Sequence, residues 1–309
     1  MDIIKRKAYA KINLGLDVIR RREDGYHEVK MIMQNIGIHD ELTFRKQPEG
    51  ISLKIDRVDL PTDGNNLIYK TAKLIKEEYK ITEGVRIDLK KRIPIAAGLA
   101  GGSTDAAAVF KGMNELFGLG MTEEKMCELG VHIGADVPYC IIGGTAIAEG
   151  IGEKLTPLPD APNAVVLIAK PDISVSTKDV YQNLNVPELK VHPDIDGMTK
   201  AVIRHDLHGI IERMDNALES VTIRMYPVID EIKNFMKEHG ALRAMMSGSG
   251  PTVFGIYTNQ AKAAEAYMEL KKTGLAKDIF VTTFASQNKE ENPLLLQGQS
   301  HFASQNKED

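Results

Sequence analysis

The chain has 309 residues, with 39 Lys and Arg against 43 Asp and Glu, a formal charge of −4, 43% hydrophobic and 27% charged residues. Such a composition predicts a soluble globular protein with a real core, and at about 150 residues per domain the length predicts roughly two domains. The near-neutral balance argues against a nucleic-acid partner held by bulk charge. No apolar run approaches the roughly 18 residues of a membrane span, and two cysteines without a Cys-x-x-Cys spacing fit a reducing, cytoplasmic compartment.

In chain order, residues 12–18 alternate, with Ile12, Leu14, Leu16 and Val18 on one side and Lys11, Asn13, Gly15 and Asp17 on the other. That period predicts a half-buried strand. Segments 29–36, 40–46 and 51–56 read as further strands, 66–79 as a helix and 85–90 as a strand. A glycine-rich stretch, 98–102, runs into an Ala-rich helix near 104–117. The apolar, glycine-interrupted segment 137–149 predicts buried strands. At 156–163 three prolines in eight residues mark the expected domain boundary. This divides the chain into 1–157, an N-terminal domain, and 158–286, a C-terminal one. Beyond the boundary come a strand at 164–169, helices between 177 and 238, a strand at 252–257, a helix at 260–272 and a strand at 279–284. Strands first and helices interspersed later favour an α+β fold over a doubly wound sheet. The heptapeptide Phe-Ala-Ser-Gln-Asn-Lys-Glu occurs at 284–290 and again at 302–308. The segment 287–309 is therefore set apart from the fold as a tail extension, with an expression-vector origin left open.

The densest chemical signal is Pro94-Ile95-Ala96-Ala97-Gly98-Leu99-Ala100-Gly101-Gly102-Ser103-Thr104-Asp105. Glycines permit positive φ, so successive N–H groups can face an anion, and the following helix adds its free N-terminal donors. The plainer reading is a tight turn with Ser103 or Thr104 capping a helix. There is no Gly-Lys pair for a Walker A loop and no Gly-x-Gly-x-x-Gly. Three stretches accompany it. Lys11 and Asn13 share a strand face, Asp136 sits in Gly134-Ala-Asp-Val-Pro138, and Ser247-Gly-Ser-Gly-Pro-Thr252 is a second small-residue loop. Taken singly these read as a solvated lysine, a turn aspartate and an ordinary connection.

Together, Lys11–Leu16, Pro94–Ala108 and Met246–Thr252 fall in the order of the three motifs of the galactokinase, homoserine kinase, mevalonate kinase and phosphomevalonate kinase superfamily, which this sequence resembles. Asp24-Gly-Tyr-His27, Gly134-Ala-Asp-Val-Pro138 and the extended Gly-Leu-Ala-Gly-Gly-Ser loop resemble its 4-diphosphocytidyl-2-C-methyl-D-erythritol kinase branch. The resemblance covers residues 6–285. It implies a two-domain α+β fold with a ferredoxin-like C-terminal domain and the site in the cleft between them. The implied activity is transfer of the ATP γ-phosphate to the 2-hydroxyl of the cytidine-diphosphate-linked methylerythritol, a small-molecule substrate, by a monomer or homodimer.

By the same resemblance Asp136 and Lys11 are the catalytic pair. ATP is bound by Pro94 through Thr104, with Asn66 and Lys91 near the adenine. Asn13, Tyr26, His27, Thr177 and Tyr181 are substrate-side positions, the aromatic rings being expected to stack on the cytosine. Mg²⁺ is expected to arrive with ATP, and no protein ligand for it is named, because Gly101 and Gly102 stand where many superfamily members carry Ser-Ser. Bulk at Gly101 or Gly102 is expected to invade the phosphate space or forbid a positive φ. Ala100, in place of the usual glycine, is expected to tolerate phosphate contact only if its φ is negative. Two other readings of the residues stay open: another small-molecule kinase of the superfamily, and a catalytically silent sensor on the same fold.

Overall fold

In the computed structural model, which describes residues 3–190 and 192–286, one long hairpin organises the molecule. Strand β1 (Ile3–Arg21) and strand β2 (His27–Gln47) pair antiparallel along their length. They are joined by a turn in which Arg22 N donates to Tyr26 O at 2.8 Å and Gly25 takes φ +86°. The two strands expected at 29–36 and 40–46 are one strand. The apparent break reflects a change of neighbour: β2 pairs with β5 (Thr145–Gly150) over 29–34 and with β4 (Gly84–Lys90) over 41–47. With β3 (Ile51–Ile55) parallel to β4, and β6 (Lys154–Leu158) on the edge beside β5, the sheet reads β3-β4-β2-β5-β6 with β1 alongside β2.

Helices α1 (Leu67–Glu78) and α2 (Gly101–Phe117) cover this sheet, and α3 (Glu123–Val131) and α4 (Val137–Ile142) pack beside α2. Helix α2 is buried nearly all round from Thr104 to Met113. Its small residues are a packing requirement, since a Cβ on Gly112 would stand 2.4 Å from the Phe44 ring. The segment 137–149 is helix then strand, not two strands. Pro138 sits in the first turn of α4, and Gly143 and Gly144 at φ +73° and +72° end it. The proline-rich segment begins as β6, because an edge strand tolerates Pro157 where a central one would lose a ladder bond.

The second sheet contains β7 (Val165–Lys170), β8 (Arg243–Met246), β9 (Val253–Tyr257) and β10 (Asp278–Thr283) in the antiparallel order β10-β7-β9-β8. Together with the helices between its strands this is the ferredoxin-like arrangement. Strand β8 is too short, at four residues, to announce itself by alternation. Between β7 and β8 run α5 (Thr177–Gln182), a 3₁₀ turn at Val186–Glu188, α6 (Ile195–Ile203), α7 (Leu207–Glu212), α8 (Glu219–Met225) and α9 (Val228–Glu238). Helix α10 (Gln260–Thr273) links β9 to β10.

Alternate residues of β7 feed two cores. Leu167 and Ala169 pack with α9 and α10, whereas Val166 and Ile168 pack with Ile12 and Leu14 of β1 and with α6 and α7. A third core, under α1 and α2, is made wholly by the first sheet and its helices. The second sheet thus packs directly on the hairpin, which corrects the reading of 12–18: both faces are buried. The polar side, with Lys11 at 5%, Asn13 at 0% and Asp17 at 6% exposure, is enclosed instead of solvated. A register shift between Asn13 and Gly15 interrupts the alternation there.

Candidate active site

The enclosed polar side of β1 forms the floor of an open cleft of about 630 Å³. Lys11, Asn13, Asn66, Lys91, Pro94–Gly98, Ala100–Ser103, Asp136, Thr177, Tyr181, Gly248 and Ser249 line it. Segments scattered from residue 11 to residue 249 thus converge on one space.

The glycine-rich loop carries positive φ at alternate residues: Ala96 at +50°, Gly98 at +72° and Ala100 at +56°. Positive φ at alternate residues lets successive N–H groups turn to one side, the backbone pattern of anion-binding concavities. Helix α2 then begins at Gly101, earlier than expected, and Ala100 serves as its N-cap without any side-chain hydrogen bond. The first amides of α2 therefore have no intrahelical acceptor and the positive end of the dipole faces the cleft. The negative φ on which phosphate contact at Ala100 was expected to depend is not found. The left-handed conformation costs an alanine on the order of 1–2 kcal/mol, borne here because Lys11 N donates to Leu99 O at 3.2 Å and Thr104 Oγ1 donates to Tyr9 O at 2.8 Å, fastening the loop to β1. Only glycine fits at 98, where a Cβ would stand 2.4 Å from the Ser247 carbonyl oxygen. Of the two reasons expected for small residues at 101 and 102, the positive φ is absent. Their Cβ atoms would meet Ile93 and Lys91 (both 3.1 Å) or Leu67 (3.3 Å), which lie beneath the loop. Leu99 and Thr104 face the core and take no part in the lining.

Lys11 Nζ donates to Asn13 Oδ1 at 2.8 Å and stands 3.8 Å from Asp136 Oδ2. Asp136 occupies the N-cap position of α4, yet its side chain caps nothing and remains about one-third exposed. The carboxylate is thus held at the mouth of the cleft beside a buried ammonium, with capacity left to accept a proton or a hydrogen bond.

Lys91 is engaged differently. Its Nζ lies 2.6 Å from both Asp40 Oδ2 and Asp105 Oδ2, and Asp40 Oδ1 also accepts from Ile93 N at 2.8 Å. Burial, with Asp40 nearby, pushes the Asp105 carboxyl well above its usual range despite the pull of Lys91. Burial works against the Lys91 charge, but the two carboxylates raise its pKa nonetheless. Asn66 caps α1, accepting from Ile68 N at 2.9 Å and donating to Pro61 O at 2.8 Å. Both residues expected near the adenine line the cleft, and both already have protein partners.

On the substrate side, Thr177 Oγ1 lies 2.8 Å from Ser249 Oγ, and the Tyr181 ring packs on His27 with centroids 5.0 Å apart at 32°. The two rings touch each other, so a base can stack on an outer face but not between them. His27 is nine-tenths buried behind Tyr181, with Nε2 lacking a partner, and burial followed by the Arg21 charge lowers its pKa. Tyr26 stands outside the cleft and is 61% exposed. The sequence reading passed over the loop around Leu60, Pro61 and Asn65, which also lines the cleft, and the carboxylate partners of Lys91. Asp105 was within the quoted motif, but nothing in a strand pattern flags Asp40.

Residues 66–144 match the model for the GHMP kinases N terminal domain and residues 198–275 that for GHMP kinases C terminal. The chain is 53% identical over 283 residues to a 4-diphosphocytidyl-2-C-methyl-D-erythritol kinase of Lachnospira eligens, covering 91% of this chain and 98% of that one. It is 52% identical to the protein of the same name from Lachnoclostridium phytofermentans, covering 92% and 98%. The chain belongs to the 4-diphosphocytidyl-2-C-methyl-D-erythritol kinase family of the GHMP kinases. A crystal structure of 4-(cytidine 5'-diphospho)-2C-methyl-D-erythritol kinase superposes with a TM-score of 0.80 at 31% identity, covering 92% of this chain and all of that one. A homoserine kinase from Cytophaga hutchinsonii, at 22% identity and a TM-score of 0.73 over 93% of this chain and 95% of that one, shares the fold.

Proposed function

We infer that this chain is an ATP-dependent kinase that phosphorylates the 2-hydroxyl of 4-diphosphocytidyl-2-C-methyl-D-erythritol, in non-mevalonate isoprenoid precursor synthesis. The observation that carries this reading is identity above 50% over nearly the whole chain to kinases of that name. The cleft supports it chemically. Phosphoryl transfer demands positioning and charge stabilisation more than covalent participation. The concavity at 96–100 and the N-terminus of α2 suit the phosphates of ATP, with Ser103 presenting a hydroxyl beside them. Lys11 and Asp136 are the proposed reacting pair. Asp136 orients the acceptor hydroxyl and takes its proton as transfer proceeds, and Lys11 offsets negative charge developing on the phosphoryl oxygens. Thr177 and Tyr181, backed by His27, are proposed to hold the cytidine side, with Tyr181 offering a ring face for stacking. Asn13 keeps Lys11 aimed.

Among the described residues no group of three or more His, Cys, Asp or Glu is arranged to hold a metal ion. Ser103, which lines the cleft in the first turn of α2, has a hydroxyl that would help hold a Mg²⁺ brought in by ATP, and that ion would neutralise phosphate charge there. Among the described residues no helix is long and apolar enough to cross a membrane, in keeping with a proposed cytoplasmic location. We place the working division of the chain at 157/158, between the glycine-loop half and the ferredoxin-like half; the tail, 287–309, lies outside the described residues.

The test is ATP-dependent ADP release measured against a panel of acceptors. The cytidine-diphosphate-linked methylerythritol should be turned over with a kcat/KM at least 100-fold above free methylerythritol, homoserine and mevalonate. Equal use of one of those three would move the chain to another kinase of the superfamily, and no ADP release with any acceptor would point to a silent sensor.

A further inference from the structure

The segment 247–252 joins β8 to β9, and its first four residues form a loop that packs against the glycine-rich loop and lines the cleft with Gly248 and Ser249. A Cβ on Gly248 would stand 3.5 Å from Asn13 Oδ1 and 3.7 Å from Lys11 Nζ. Ser247 Oγ donates to Gly98 O at 3.0 Å, and Ser249 Oγ lies 2.8 Å from Thr177 Oγ1. One short loop therefore bonds to the phosphate loop and the substrate-side helix and passes close to the proposed reacting lysine.

Side chains from one turn of chain hold this loop. Asn216 Nδ2 donates to Met246 O at 2.9 Å and to Gly248 O at 2.8 Å, while its Oδ1 accepts from Leu218 N at 3.0 Å. Glu219 Oε1 accepts from Met246 N at 2.7 Å, so both backbone groups of Met246 are gripped by side chains. Thr222 Oγ1 reaches Ser249 O at 3.4 Å. The three residues are spaced three apart, on one face of the turn entering α8. The same turn is stitched to β1, since Leu16 N donates to Asp215 O at 3.0 Å and Ala217 N to Leu16 O at 2.9 Å. The strand carrying Lys11 and Asn13 and the loop facing them are thereby referenced to one element. Asn216 is 2% exposed, and neither it nor Glu219 lines the cleft. Asn216-Ala-Leu-Glu219 has the spacing of a helix capping box, but Glu219 reaches another strand instead of its own helix terminus.

We propose that Asn216 and Glu219 are positioning residues for the transfer reaction, holding the 247–250 loop in register against Lys11 and Asn13. The inference rests on the reading of Lys11 and Asp136 as the reacting pair. Its chemistry is specific to an amide at 216. An Asp of the same shape would set a carboxylate oxygen against two carbonyl oxygens, drive the loop away from the lysine, and leave the bulk of the core in place.

Asn216→Asp should lower kcat 10- to 100-fold, the scale of a displacement near 1 Å in a reacting group, with KM for ATP and for the acceptor each within about threefold of the parent. Glu219→Leu should lower kcat similarly, and Glu219→Gln, which keeps an acceptor for Met246 N, should restore most of it. Lys233→Met removes the counter-charge that pairs with Glu219 but not the grip on the loop, and should lower Tm while leaving kcat within twofold. A folded Asn216→Asp enzyme with parental kcat would overturn the proposal, as would kcat losses that simply follow Tm across all four variants. Should Asn216→Asp fail to fold, the Leu and Gln variants at 219 decide alone: equal activity in the two would overturn it. Lys11→Met, assayed in parallel, separates the two readings. An active Lys11→Met enzyme removes the reacting pair itself, whereas an inactive one beside a fully active Asn216→Asp removes only the positioning role.

Discussion

Lys11 and Lys91 are equally buried, their side chains 6% and 4% exposed, and both border the same cleft. Their partners differ. Lys91 is saturated by two sealed carboxylates at 2.6 Å each. Lys11 has a neutral amide oxygen at 2.8 Å, and its carboxylate neighbour is 3.8 Å away and partly open to solvent. A charge closed within its own ion pairs stiffens the structure but has little left for a ligand. A charge held by a neutral acceptor, with a loose counter-ion, retains its field for whatever enters. On this contrast we propose that the Asp40–Lys91–Asp105 triad serves structure and Lys11–Asp136 the chemistry, although the resemblance placed both lysines in binding or catalysis.

The strongest challenge to that contrast is Asp136→Asn. It keeps shape and hydrogen bonding but loses the base, so kcat should fall about 10²- to 10⁴-fold while Tm barely moves. Steady-state kinetics beside a thermal melt would read both, and near-parental turnover by the folded variant would remove Asp136 from the reaction.

Lys91→Met should do the reverse. It leaves two buried carboxylates facing each other without a cation, and unfolding free energy should drop by about 3–5 kcal/mol, with kcat of the folded fraction changed far less than in Asp136→Asn. Urea unfolding measures the first and active-site-normalised kinetics the second. A stable variant that has merely lost ATP affinity would make Lys91 a nucleotide ligand after all.

The smallest effect sharpens the picture of the triad. Burial raises the Asp105 pKa above its ordinary value, so the folded protein holds that proton more tightly than the unfolded chain does. The associated stability is full below about pH 4 and is lost as pH climbs through the raised folded value. Asp105→Asn removes this loss, so denaturant titrations should find its stability relative to the parent improving between pH 5 and pH 8. A constant difference across that range would mean that Asp105 titrates normally.

Much of this was legible along the chain. Helix α1, strands β4, β7 and β9, and helix α10 lie within a residue or two of the expected segments, because each carries a regular apolar period. The failures share a cause: the partner decided the conformation. A 21-residue β2 read as two strands because its neighbours change midway. The apolar run at 137–142 became helix because a proline begins it and glycines end it, and periodicity over six residues cannot separate the alternatives. In the site, Lys11, Asp136 and the glycine-rich loop were found through motif order, and the structure does bring them to one cleft. Tyr26 was named with its neighbour His27, but successive residues of a strand end point to opposite sides, and only His27 faces Tyr181.

The sequence by itself determined which residue types are available, where the backbone can turn, and which family the motif order matches, since these depend on local sterics and on spacing along the chain. Tertiary structure alone decided which of two lysines is saturated by carboxylates. The carboxylates that saturate Lys91 come from residues 51 positions before it and 14 after it. It also decided that the polar face of β1 is a cleft floor instead of a wet surface, that Ala100 is held left-handed, and that Asn216 and Glu219 reach across about thirty residues to grip a loop. Each is a contact between segments distant in sequence, and such contacts are set by packing of the two sheets on the long hairpin, for which no local pattern codes.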